Sequence, residues 1–201
     1  MLRDVLKSRG VEVVMTRTTD THLALVKAED YKLRCALEKG CDLAISCHRN
    51  AGPTTARGVE IWLHSQAGAS IVNWASDIIN GMTATGIPIR KGDIAPGVYR
   101  GYPSYPNDNF YCNSGTKSPS MLVELGFITN EQDNLVFDSR IEEMVLAIAD
   151  AACRRLGVDL TPPAQSKLYR VQVGAFSQKQ NAERLAEELR GKGYQTIIKA
   201  E

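Results

Sequence analysis

An α/β fold, with a mostly parallel sheet covered by helices on both faces, is what three features of the sequence predict. Short apolar runs of strand type recur at Val11–Thr16, Leu43–Cys47, Val59–Leu63 and Met121–Leu125, each too short for an ordinary helix. Between them, apolar residues return at helical spacing. Strands that alternate with helices in this way join one sheet as parallel neighbours, buried on both sides.

In chain order, Met1 to Arg9 places Leu2, Val5 and Leu6 on one face and stops at Gly10, which reads as a short helix without an N-cap. The strand Val11–Thr16 follows. Thr18, Thr19 and Asp20 make a polar turn, and Leu25, Ala28, Leu33, Ala36 and Leu37 then mark a helical face ended by Gly40. After the strands Leu43–Cys47 and Val59–Leu63, a helix is marked by Ile71, Trp74, Ala75, Ile78, Ile79 and Met82. From Gly86 to Pro119 the pattern gives way to Gly, Pro, Asn, Asp and Tyr, a loop long enough to serve a site. Its rings, Tyr99, Tyr102, Tyr105, Phe110 and Tyr111, suit stacking on sugars or packing a groove wall. Thr129–Gln132 and Ser139–Glu142 have the form of capping boxes, the first opening a short helix and the second a longer one striped by Ile141, Met144, Val145, Ile148 and Ala152.

With 201 residues, the chain has room for one domain of ordinary size and a small appendage. A net charge of +1 argues against a nucleic-acid partner. No apolar stretch approaches the ~18 residues of a membrane span, and Arg3, Asp4 and Lys7 stand where a secretory signal would need an apolar core. Five cysteines, an odd number with no CxxC pair, point to free thiols rather than to a disulfide framework or a zinc ribbon.

Two residues interrupt or end buried strands with chemistry-bearing side chains. Glu124 lies in the stretch Ser120–Asn130, which opens as an apolar strand, where an ionised carboxylate needs a cation, a metal or hydrogen bonds to offset its desolvation. A strand-end Glu that reaches solvent is the plain alternative. His48 directly follows a buried strand, where an imidazole can face a cleft at the carboxyl end of the sheet or serve as a hydrogen-bonded structural residue.

The runs Asp42–Ala51 and Val123–Asn130, with the strand Gly58–Leu63 between them, resemble two strand-end motifs of the zinc-dependent N-acetylmuramoyl-L-alanine amidases of the type 3 amidase family. The resemblance covers Met1 to about Leu156, giving an amidase domain at 1–156. It implies a peptidoglycan hydrolase that cuts the amide between N-acetylmuramic acid and the L-alanine of the stem peptide. His48 matches the family's second histidine ligand to Zn2+, and Glu124 matches its catalytic glutamate. The family's first histidine, in a Gly-His-Gly-Gly turn, and an early-helix glutamate have no counterpart in this sequence. His22 and His64 are poorly placed as substitutes, so the Zn2+ site is incomplete and tight zinc binding is not expected. Substrate-binding residues are not identified.

Gly157–Ser166, with Pro162–Pro163, reads as a linker over 157–166. Beyond it come a strand at Tyr169–Phe176, a capping box at Ser177–Gln180, a helix with Ala182, Leu185, Ala186 and Leu189 inward, and a strand at Gln195–Lys199. Val171–Ser177 resembles the opening of the SPOR domain, a small α+β module that binds glycan strands stripped of stem peptides. About half of that module is expected at 167–201. Three readings follow: an amidase, a catalytically inactive cell-wall-binding module, and a hydrolase using Cys47 beside His48. The last conflicts with strand geometry, since neighbouring residues face opposite ways. The implied substrate places the protein outside the cytoplasmic membrane, as a secreted bacterial enzyme or a phage lysin, although no signal peptide is visible.

Overall fold

The computed structural model describes residues 1–20, 33, 36–102, 104, 109–160, 172–194 and 196–198, in two units, Met1–Pro163 and Ala164–Glu201. The first unit holds the strands β1 (Ala44–Asn50), β2 (Glu60–Leu63), β3 (Val98–Arg100) and β4 (Ser120–Phe127), ordered β1-β4-β2-β3 across one sheet. β4 is bonded on both edges and is buried throughout. β1 runs parallel to β4, with His48 opposite Glu124, and β2 runs antiparallel to it, with Glu60 opposite the same residue. β3 pairs parallel with β2. The expected α/β class therefore takes the form of a mixed sheet whose pairings are parallel except at β2–β4.

The helices named in this unit are α1 (Leu2–Ser8), α2 (Ala69–Ala84), α3 (Tyr111–Ser114) and α4 (Glu131–Arg155). Strand alternation divides their work. Ile61, Leu63, Val98, Met121, Val123 and Leu125 join Ile78, Ile79, Met82, Met144 and Ile148 in one core beneath α2 and α4. Each such side chain contributes ~1.5–3 kcal/mol by leaving water. α2 and α4 approach so closely that a Cβ on Gly81 would lie 3.1 Å from that of Ala147. The opposite face carries the even-numbered positions Ser46, His48, Leu122, Glu124, Glu60 and Trp62. The short α3 covers part of it, with Asn113 Nδ2 donating to the Trp62 carbonyl at 2.9 Å.

Several elements differ from expectation. Val11–Thr16 is not a strand, because a strand needs a ladder partner and β1 pairs only with β4 among the described residues. The Leu25–Leu37 helix lies largely outside the described residues; Leu33 and Ala36–Glu38 are helical. The long loop contains β3 and α3, each too brief to leave a periodic signature. The N-cap of α4 is Asn130, whose side chain accepts from the Asp133 amide, while the Thr129 hydroxyl receives the Gly52 amide. The two expected helices after it are joined as one across a kink at Arg140, where φ is −133° and ψ is 16°. No helix among the described residues is long and apolar enough to cross a membrane.

In the second unit, α5 (Lys179–Gly191) forms after Gln178 rather than Ser177. Neither 172–176 nor 196–198 is a strand, and the rest of both expected strands lies outside the described residues. Ala186 is the one buried hydrophobic residue described there, whereas Val173, Phe176, Tyr194, Ile197 and Ile198 are exposed. Chains below ~40 residues rarely sustain a core without a disulfide or a metal. An isolated Lys167–Glu201 peptide is accordingly expected to give a circular dichroism spectrum with little helix and no cooperative melt, and a cooperative thermal transition would refute this.

Candidate active site

The site grows from the end of β4. Gly126 takes a φ of 81°, open to glycine at little cost, and a Cβ there would lie 3.0 Å from Asp133 Oδ2. That oxygen accepts the Phe127 amide at 2.8 Å and the Gly58 amide at 2.7 Å, and Asp133 is only 4% exposed. One buried carboxylate on α4 thus ties the turn after Glu124 to the residues entering β2.

Three side chains then line up across three strands: His48 on β1, Glu124 on β4 and Glu60 on β2. Glu124 is 6% exposed, and its Oε2 has no hydrogen-bond partner. Burial, with the charge of Glu60 as a second cause, pushes its carboxyl up to about 7. Glu60 is fully engaged: Oε1 accepts from Asn50 Nδ2 at 2.5 Å and Trp62 Nε1 at 2.9 Å, and Oε2 lies 2.8 Å from Arg90 Nε. His48 is exposed beside them. The end of β1 that presents it is held by Arg49, which donates to Asn134 Oδ1 at 2.6 Å and stacks over Phe137 at 4.2 Å.

Rings gather next to this row. Trp62 stacks on Tyr99 at 4.5 Å and meets Tyr102 and Phe110 edge-on at 5.2 and 5.5 Å. These are loop aromatics anticipated as a groove wall; Tyr105 lies outside the described residues. Cys112 is pushed up to about 12 chiefly by burial, so it stays a neutral thiol on this face.

Of the residues singled out in the sequence, His48 and Glu124 are brought together. Cys47 pairs with Val123 in the alternate register, and its thiol is pushed up to about 11 by the protein around the sulfur, which disfavours a thiolate nucleophile. His64 ends β2, away from the Glu60 end, and its Nδ1 accepts the Gln66 amide. His22 lies outside the described residues. Among the described residues no three His, Cys, Asp or Glu side chains are grouped to hold a metal. The residues described do not fit a zinc ion by themselves, since such a site takes about three protein ligands.

Glu60, Arg90 and Asp133 were not legible as site residues. Glu60 did carry a signal, the same one as Glu124: a carboxylate inside a short apolar strand.

Residues 1–154 match the N-acetylmuramoyl-L-alanine amidase family, and residues 165–201 match the SPOR domain. A sporulation-specific N-acetylmuramoyl-L-alanine amidase of Bacillus subtilis (strain 168) is 29% identical, over 98% of this chain and 71% of that protein. The N-acetylmuramoyl-L-alanine amidase CwlM of Bacillus licheniformis is 27% identical over the same shares. In fold, the chain resembles the catalytic domain of CwlV, an N-acetylmuramoyl-L-alanine amidase from Bacillus (Paenibacillus) polymyxa var. colistinus, with a TM-score of 0.61, 23% identity and coverage of 79% and 80% of the two chains. With three-quarters of its length matched by the family, this chain belongs to the N-acetylmuramoyl-L-alanine amidase family.

Proposed function

We propose that the protein hydrolyses the amide between N-acetylmuramic acid and L-alanine in peptidoglycan, with Glu124 as the proton-transferring carboxylate and His48 as one ligand of a zinc ion. The observation that carries this reading is the unpartnered, buried Oε2 of Glu124 on a carboxyl held near 7. A carboxyl so poised takes a proton from an attacking water and returns it to the alanine nitrogen as the C–N bond breaks. The described residues do not supply the remaining zinc ligands. The domain limits proposed are 1–156 for the catalytic part, 157–166 for the linker and 167–201 for a wall-binding SPOR part, which would keep the protein at the cell wall.

The test is an assay on purified murein with zinc supplied, scored by newly freed alanine amino groups, alongside zinc content by atomic absorption. Release that falls on His48→Ala together with zinc content supports the assignment. A chain that releases no alanine at any zinc level, yet sediments with murein, is instead the inactive wall-binding module, the reading favoured by the lack of a three-donor metal group among the described residues.

A further inference from the structure

Arg90 is placed with unusual care for a loop residue. Its amide donates to the Val59 carbonyl at 3.0 Å and its carbonyl accepts the Gly97 amide at 2.9 Å. Gly58, at a φ of 98°, permits this approach, because a Cβ there would come within 2.9 Å of the Ile89 carbonyl carbon. The guanidinium lies 5.1 Å from the Phe127 ring centroid. Its Nε is enclosed, 2.8 Å from Glu60 Oε2 but off the line of a hydrogen bond. The side chain as a whole is 33% exposed, and Nη1 and Nη2 donate no hydrogen bond to any described residue.

We propose that Arg90 anchors a free carboxylate of the substrate, borne by the residue that follows alanine in the stem peptide. This rests on the amidase reading above. A guanidinium grips a carboxylate through two parallel N–H groups, and the pair Nη1 and Nη2 is the edge left open once Glu60 has taken Nε. Fixing one side by Glu60 and one ring face by Phe127 leaves little rotamer freedom to lose on binding. The spacing suits the peptide. Neighbouring strands stand ~4.8 Å apart and one extended residue spans ~3.5 Å, so a chain cut at Glu124 on β4 brings the carboxylate of its next residue over β2, where Glu60 holds Arg90. Arg90 is thereby a specificity residue, reading whether that position is acidic or amidated.

The experiment compares N-acetylmuramoyl-L-alanyl-D-glutamate with its α-amide, both capped as the γ-methylamide so that only the α-carboxyl differs, by calorimetric titration of the full chain. The acid is expected to bind about tenfold more tightly, the scale of one charge-assisted pairing. Arg90→Gln should equalise the two ligands, and Arg90→Lys should keep part of the preference as a point charge. The ratio in the unaltered protein needs no variant to fold. A ratio near one, or a preference that survives Arg90→Gln, overturns the anchor, as does binding of neither ligand. Failure of the amidase reading shows separately, as no release of alanine amino groups from murein.

Discussion

Glu124→Gln is expected to lower the release of alanine amino groups from murein by about 10²–10⁴-fold, the usual worth of a positioned general acid–base. The amide fills the same volume next to Glu60 but cannot accept the water's proton. Fold should be retained, since Oε2 has no hydrogen-bond partner to lose. Near-normal hydrolysis by a folded variant would take Glu124 out of the mechanism. The same substitution has a thermal signature. The folded carboxyl titrates near 7 against an ordinary 4.5, so between those values the native state holds a proton that the unfolded chain has released. Stability conferred by that proton is full below about 4.5, declines as pH rises through the window and is gone above 7, a loss on the order of 3 kcal/mol. Melting curves of parent and variant should therefore diverge in favour of the variant from pH 4.5 to 7.5; parallel curves would refute the shift.

Asp133→Ala should be the most damaging single change to the scaffold. It removes the acceptor of two buried amides, those of Phe127 and Gly58, and a carboxylate from the first turn of α4. Two orphaned N–H groups at ~1–3 kcal/mol each amount to about 4 kcal/mol, or roughly 10 °C in Tm for a domain of this size. Asp133→Asn, whose amide oxygen can take the place of Oδ2 and accept both amides, should lose much less, chiefly the charge. A change under 2 °C by calorimetry for the alanine variant would show that the pin does not hold the turn.

What could be read from the sequence follows from how local each cause is. Glu124 was legible because a carboxylate in an apolar strand violates local patterning, and His48 because a motif surrounds it. The α2 and α4 helices announced themselves by periodicity. Arg90 and Asp133 act through partners 30 and 75 positions away, Glu60 and Gly58, and nothing in their own neighbourhoods marks them. Val11–Thr16 has every mark of a strand but no partner among the described residues, and a strand is a property of the pair. β3 is three residues long and exists because β2 lies alongside.

The central place of β4 also dictates when the molecule can assemble. β1 and β2 leave the ribosome well before residues 120–127, yet β4 is the strand that joins them. Until it arrives, Ile45 has no described strand to pair with, and Ile61 and Leu63 have only the three-residue β3. Closing so long a loop before any pairing compensates is a slow, entropically opposed step, the kind that chaperones shelter. Because Glu124 is part of that late strand, the half-built protein lacks the carboxylate proposed above as its proton shuttle: the last of the four strands to be made brings it.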